Sequence, residues 1–233
     1  RDRSPSRGLG DVYKRQPVDG VQADGVQADI SRQLLHAAVS MAGDSVTSLI
    51  VGTSCVAWIA FDSGLIAACL AIVALAAVCA LWRLMMARRY RAGVAISPAA
   101  VQRAEREFEF SAAVGGLLWG VVILAVYPRA DTHWALLVLL IVSGAIALAA
   151  FFYALIGRAF LWYALVPVAA TVFVSIFNEN GTIAMAAAAI VYAVAMARMS
   201  GYYRRHTTMA IRSKLEAEAA NRCLLYTSDA ADE

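Results

Sequence analysis

Six apolar stretches of membrane length follow one another along the chain. A helix needs about 20 mostly apolar residues to cross a bilayer, and inside lipid its backbone must be hydrogen-bonded within the helix. The pattern therefore predicts an all-α polytopic membrane protein, a six-transmembrane-helix bundle with a cytoplasmic C-terminal connector helix. The predicted spans are Ser45–Phe61, Leu65–Trp82, Ser111–Tyr127, Trp134–Leu155, Ala159–Phe177 and Thr182–Met199.

Polar sequence precedes the first span at residues 17–44. Residues 17–29 contain the unit VQADG followed directly by VQAD and few apolar side chains, so we expect a flexible tail there. Residues 30–43 have apolar side chains at helical spacing, which predicts an amphipathic lead-in helix lying at the membrane surface. The residues on that apolar face are Ile30, Leu34, Ala37 and Met41.

A longer polar stretch at residues 83–110 separates the second span from the third. Ser97 is a favourable helix cap, and Pro98 suits the first position of a helix. Arg103 and Glu107 then have the i,i+4 spacing of helical ion pairs. We expect a cytoplasmic surface helix after Pro98 that leads straight into the third span and acts as a solvated linker rather than a binding surface.

The sixth span ends at a basic boundary formed by Arg198, Arg204 and Arg205. Arginines at this level can bind anionic lipid headgroups and so set the depth of the helix. Residues 200–222 beyond it are polar and helix-prone, which is typical of an output connector; an ordinary juxtamembrane helix is the alternative. A weak apolar seam could pair the connector with a second copy in a homodimer. The seam consists of Thr208, Ile211 and Leu215.

The composition supports a membrane protein. Hydrophobic residues make up 61% of the chain and charged residues 16%, and the mean hydropathy is +0.64. Soluble domains contain about 45–50% apolar and about 25% charged residues. A soluble chain this apolar would lack the polar surface to cover its core, so we expect the lipid bilayer as its solvent and no nucleic-acid partner.

The distribution of arginine predicts the orientation. If the six spans alternate in direction, nearly all basic residues lie on one side and only Arg129 lies on the other. Basic loops stay in the cytoplasm, so we expect a multi-pass protein of the bacterial inner membrane with both termini cytoplasmic and only short turns outside. The residues that mark the cytoplasmic side are Arg83, Arg88, Arg89, Arg91, Arg158, Arg198, Arg204 and Arg205.

No catalytic constellation is recognisable in the sequence. It has no phosphate-binding loop, zinc-ligand spacing or nucleophile elbow, so we expect no catalytic, cofactor-binding or metal-binding residue. Cys55, Cys69 and Cys79 fall in apolar runs, where we interpret them as small buried hydrophobes. The one candidate for pH sensing is His133 with Asp131, because the pair faces outside and histidine titrates near neutral pH.

The spans show no clear ionisable residue near their middle, which argues against an ion-coupled transporter. Gly116 and Gly120 match a small-xxx-small pattern in the third span, which fits close packing either within the bundle or between copies. Pro167 predicts a kink in the fifth span. The sixth span is rich in alanine, so we expect it to lie in the interior.

Both ends of the chain resemble translated sequencing adapters. DVYKRQ at residues 11–16 can be encoded by GATGTGTATAAGAGACAG, and the reverse complement of that string encodes Cys-Leu-Leu-Tyr-Thr, the residues at 223–227. Unrelated protein ends rarely derive from opposite strands of one oligonucleotide. We therefore interpret residues 1–16 and 223–233 as adapter scars and the rest as an internal fragment of a longer gene.

The segment LEAEAANR at Leu215–Arg222 resembles the short helix that precedes the phosphoacceptor helix of bacterial sensor histidine kinases. The resemblance covers these eight residues and gains weight from their position after six spans, where such kinases have their sensor. It implies that the intact parent is a protein-histidine kinase, that ATP and magnesium serve only its missing kinase domain, and that a response regulator is its partner. It assigns no catalytic residue to this fragment.

Two other functions stay open. The six-span region also looks like the membrane sensor modules of diguanylate cyclases, so a cyclase is the first alternative output. The second alternative is a small transporter or channel complete in itself, which would require a polar cavity among the spans.

Overall fold

The computed structural model describes residues 20–90, 97–178 and 181–229, and it describes the backbone alone at 20–24, 26, 98, 219 and 222–229. Within those ranges the chain consists of helices joined by turns, with no strand, which confirms the predicted all-α class. The α-helices of this part are α1 Gly20–Ser40, α2 Ala42–Asp62, α3 Ile66–Arg89, α4 Pro98–Val126, α5 Thr132–Phe152, α6 Ala159–Phe177 and α7 Ile183–Asp229. They provide six segments long and apolar enough to cross a membrane, of which the first, Gln27–Asp62, includes parts of both α1 and α2.

The turns explain where the helices stop. Gly64 between α2 and α3 has φ +73, a left-handed conformation that favours glycine, and it lets the chain reverse within three residues. Between α4 and α5 the chain forms a short 3-10 turn at Tyr127–Arg129 that contains Pro128. Ser97 caps α4 by accepting a hydrogen bond from the Ala100 N–H, with Pro98 at the first helical positions, as predicted.

The segment before the first span differs from the prediction. Residues 20–29 are helical rather than a flexible tail, and residues 17–19 lie outside the described part. The lead-in is also packed into the core, since α1 contacts α2, α3, α4 and α7. Leu35, Ala38 and Val39 are buried along with the predicted Ile30 and Leu34. A helix buried on so wide a face is part of the core and does not rest on its surface.

The centre of the core is α4, which packs most closely against α6. Gly116 and Gly120 make this contact possible within the chain. A methyl group on Gly116 would collide with the Tyr163 carbonyl, and one on Gly120 would come within 2.6 Å of the Val166 side chain. The residues predicted to form a surface helix before the third span are the first turns of α4 itself.

The α7 helix lies at the edge of the packed helices, contrary to the prediction of an interior sixth span. In its most apolar stretch of 18 residues only 11% of α7 is buried, against 61% for the same kind of stretch in α4. The helix continues beyond that stretch without a break to Asp229, and its 47 residues span about 70 Å. Ile211 and Leu215 of the predicted dimer seam pack against the core of the same chain.

Candidate functional site around a buried arginine

Arg83 lies inside the protein, although we predicted it in the cytoplasmic loop. It belongs to α3, six residues before the end of that helix, and only 9% of it is exposed. Its Nη1 donates hydrogen bonds to the Ser45 Oγ at 2.7 Å and to the Ser45 carbonyl at 3.2 Å. Its guanidinium lies over the Tyr153 ring, 5.5 Å from the centroid.

Small and aromatic neighbours provide the space that this side chain occupies. A Cβ atom on Gly115 of α4 would lie 3.0 Å from the Arg83 Nη2 and 3.0 Å from the Tyr163 ring. The glycine therefore leaves room for the guanidinium between α3, α4 and α6. Tyr153 and Tyr163, themselves buried, have their ring centroids 5.5 Å apart and close the site from the other side.

No carboxylate compensates the charge of Arg83 in the described part of the chain. Its hydrogen-bond partners there are neutral, namely Ser45 and, in a polar contact, the Tyr153 hydroxyl, and none of the ion pairs found there includes it. An arginine stays protonated at any relevant pH, and a buried charge without a partner is costly. An uncompensated cation inside a membrane-spanning region is therefore a candidate functional site.

A small cavity of about 30 Å³ lies beside the guanidinium. Three side chains on its wall have a buried polar atom without a hydrogen bond of good geometry, namely Arg83 Nε, Trp119 Nε1 and the Tyr153 hydroxyl. The Tyr153 hydroxyl is in polar contact with Ser111 and with Arg83 itself, and the Trp119 indole is in polar contact with Tyr163. All three groups can donate a hydrogen bond, which makes the cavity suited to an acceptor. We call it the Arg83 cavity.

The Arg83 cavity lies close to one end of the packed helices. Ser45 is three residues after the start of α2, and Tyr153 directly follows the end of α5. Arg83 is six residues, or about 9 Å along the helix axis, from the end of α3. If the end of α3 lies at the membrane surface, the Arg83 cavity is closer to that surface than to the bilayer midplane.

The turn after Tyr153 connects the Arg83 cavity with α7. Gly157 has φ +40, and its carbonyl accepts a hydrogen bond from the Arg204 Nη1 at 3.1 Å. The next backbone N–H, of Arg158, donates to the Glu109 carboxylate of α4 at 3.0 Å. The Phe151 and Tyr203 rings also meet edge to face. One wall of the cavity is thus joined to the long terminal helix by direct contacts.

The other predicted basic residues behave as surface groups. Arg88, Arg158, Arg198 and Arg205 are exposed, and Arg91 lies outside the described residues.

Arg89 forms an ion pair of 3.1 Å with Glu107, which also accepts a hydrogen bond from the Tyr90 hydroxyl. These contacts tie the end of α3 to the start of α4, so Glu107 pairs between helices rather than with Arg103. Burial, with a further contribution from the Glu107 carboxylate, raises the pKa of Tyr90, so its hydroxyl remains a donor well above neutral pH.

The remaining predicted site residues are not brought together. Asp131 and His133 are both exposed at the start of α5, and no hydrogen bond or ion pair joins them in the described ranges. We predicted that all three cysteines are buried. Cys79 is buried as predicted, Cys69 is partly buried, and Cys55 is exposed on the side of α2, contrary to the prediction. The described residues contain no group of side chains able to hold a metal ion.

One signal in the sequence could have identified Arg83. The apolar run does not stop at Trp82 but continues after the arginine as Leu-Met-Met-Ala at residues 84–87. A basic residue with apolar neighbours on both sides in one helix lies within the apolar segment rather than after it. The serine and glycine partners gave no such signal, because they come from other helices.

Compared with protein-family models, with curated proteins and with solved structures, the chain matches none of them at a significant level. The site therefore has to be interpreted from its own geometry.

Proposed function

We propose that this chain is the membrane-embedded sensor module of a bacterial signalling protein, with the Arg83 cavity as its sensing site and α7 as its output. The observation that carries this proposal is the continuity of α7. A single helix begins at Ile183 among the apolar spans, contacts the turn that closes the cavity, and continues beyond it with exposed charged side chains at Arg212, Lys214, Glu216 and Glu218. A helix with this course can transmit a small shift or rotation out of the membrane.

The contacts around the turn give the transmission a physical basis. A change in the position of Tyr153 would act on the turn at residues 153–158, and the turn is bonded to Arg204 on α7. Packed helices tend to have discrete arrangements rather than deforming continuously. A ligand that favours one arrangement at Arg83 would therefore favour one position of α7.

A sensor histidine kinase is the output that we propose for the intact protein. Its support is the resemblance of Leu215–Arg222 to the segment before the phosphoacceptor helix, together with the position of that segment on an exposed helix. A kinase of this kind would use ATP and magnesium in its own catalytic domain and would act on a response regulator. A diguanylate cyclase output would use the same module.

The cavities beside Arg83 favour a sensor over a transporter. The Arg83 cavity has about 30 Å³, and a second cavity lined by Arg83, Phe108 and Ser111 has about 20 Å³, so each is large enough for about one water molecule. The larger spaces between the described helices, of about 310 to 600 Å³, are open grooves with mainly apolar walls. A transporter has to enclose a polar substrate among the spans, whereas a sensor needs only to detect a group that reaches the arginine.

Sequencing the uncut gene beyond codon 222 tests this proposal. A histidine box followed by an ATP-binding domain is the expected result. A Gly-Gly-Asp/Glu-type signature would instead identify the cyclase output and would preserve the sensor module. A stop codon directly after codon 222, with no enzymatic domain in the reading frame, would refute the proposed function.

A further inference from the structure

An open crevice between α2 and α5 adjoins the Arg83 cavity. It has a volume of about 470 Å³ and shares four wall residues with the cavity: Ser48, Trp119, Ala145 and Leu148. Gly52 and Gly144 leave space in its wall, and a Cβ atom on Gly144 would meet nothing within 4 Å. We call this space the α2–α5 crevice. The polar cavity and the crevice together form one site with a small cationic end and a long, mainly apolar groove.

The cationic end is suited to an anion with two oxygens. Arg83 donates hydrogen bonds to Ser45 through Nη1, and its Nε has no hydrogen-bond partner among the described residues. A guanidinium can bind a carboxylate with two parallel hydrogen bonds, and the unpartnered Nε leaves Arg83 capacity for such an acceptor. The Tyr153 hydroxyl and the Trp119 indole add neutral donors on the same wall.

The volume of the Arg83 cavity limits the size of that anion. About 30 Å³ is roughly the volume of one water molecule in the liquid. The space admits only a small group, which favours a carboxylate that places one oxygen there and enters from the crevice over a bulkier phosphodiester with its substituents.

The crevice has the direction that an acyl chain requires. Its α2 residues run from Asp44 near the helix start to Gly52 further in, and its α5 residues run from Leu148 near the helix end back to Ile141. A chain held at Arg83 would therefore extend away from the nearby end of the helices, as lipid chains do. Asp44 lies at the outer end of the crevice and repels an anion there, so Arg83 is the favourable position for the charge.

We propose that the α2–α5 crevice and the Arg83 cavity bind a long-chain aliphatic carboxylate. The carboxylate lies against the Arg83 guanidinium, and the hydrocarbon chain lies in the crevice between α2 and α5. Binding supplies the counter-ion that the buried arginine lacks. The role of this ligand as a stimulus rests on the proposed function, but its binding does not.

Binding of oleate to the purified chain in detergent micelles tests the proposal. We expect saturable binding, competition by other long-chain carboxylates, and no competition by methyl oleate, which has the same chain without the charge. Arg83→Gln should weaken oleate binding by roughly tenfold or more, because it removes a charge-assisted pair of hydrogen bonds. Arg88→Gln, the same substitution at an exposed position of the same helix, should leave binding unchanged.

A second variant tests the crevice without altering the arginine. Gly144→Leu places a side chain in open space within the groove and should abolish oleate binding while the protein stays folded. Gly201→Leu is the control, because Gly201 is also helical and open but lies on α7, away from the crevice. This pair decides the question even if Arg83→Gln fails to fold.

Any of four results would overturn the proposal. Two are equal binding of oleate and methyl oleate, and unchanged oleate binding in Gly144→Leu. The third is no saturable binding to the wild-type chain, which would leave water as the occupant of the cavity. The fourth is stronger binding of lysophosphatidate than of oleate, which would favour a phosphate ligand. Oleate binding by a chain whose gene ends at codon 222 would preserve the site and refute the signalling role alone.

Discussion

Pro167 and Gly116 have a joint role at the contact between α4 and α6. Proline has no N–H, so Pro167 leaves the Tyr163 carbonyl, four residues earlier, without its helical hydrogen bond. Gly116 presents its Cα–H to that same carbonyl, at a distance too short for any side chain. A weak Cα–H···O contact of this kind recurs between closely packed helices. Pro167 therefore leaves the Tyr163 carbonyl available as an acceptor, and the Gly116 Cα–H contacts it.

Gly116→Ala should destabilise the protein, because its methyl group would force α4 and α6 apart where they pack most closely. Inserting a carbon into a well-packed core costs about 1–3 kcal/mol, which thermal unfolding in detergent, followed by circular dichroism, would detect as a lower Tm. Gly144→Ala is the control; its site is open, and alanine favours the helix by about 1 kcal/mol. Equal shifts in Tm for both variants would contradict the role of Gly116.

The position of Arg83 within an apolar run could be read from the sequence, but its burial could not. An arginine near the end of an apolar run usually extends its side chain to the membrane surface. Whether it does so here depends on Ser45 of α2, Gly115 of α4 and Tyr153 in the turn after α5. A property that depends on contacts between helices is not contained in the local pattern of any one of them.

At the level of helices, prediction from the sequence succeeded where apolar length was the only criterion. The predicted fifth span, Ala159–Phe177, coincides with α6, because apolar residues fill it from turn to turn. The helix after Pro98 leads straight into the third span, as predicted. The difference is that this segment packs against the core rather than being solvated, because Glu107 and Glu109 bond to neighbouring elements.

The hydrogen bond from Arg204 to Gly157 is the contact through which we expect α7 to restrain the turn after α5. Arg204→Gln should speed hydrogen–deuterium exchange at the backbone amides of residues 153–158, because the turn loses a charge-assisted bond. Arg205→Gln removes the same charge from the adjacent, exposed position and should not alter exchange in the turn. Equal exchange in the two variants would show that α7 does not restrain the turn through this bond.

On the scale of the whole molecule, the contacts bring the basic residues to one end. Arg89 pairs with the start of α4, Arg204 bonds to the turn after α5, and Arg83 lies two turns of helix inside that same end. Arg129 lies beyond the opposite end of α4. From the positive-inside rule we therefore predict the same orientation as from the sequence, with the Arg83 cavity at the cytoplasmic leaflet.

Reporter fusions test this orientation, on which the depth of the proposed ligand depends. Alkaline phosphatase, which is active only outside the cytoplasm, should be active when it is inserted after Gly64, Ala130 or Gly181. It should be inactive within residues 91–96 or after Arg222, where a cytoplasmic reporter should instead be active. Since each cytoplasmic position follows or precedes several arginines, replacing Arg88 and Arg89 with glutamine should weaken this bias. An active phosphatase at residues 91–96 would invert the molecule and place the Arg83 cavity in the outer leaflet.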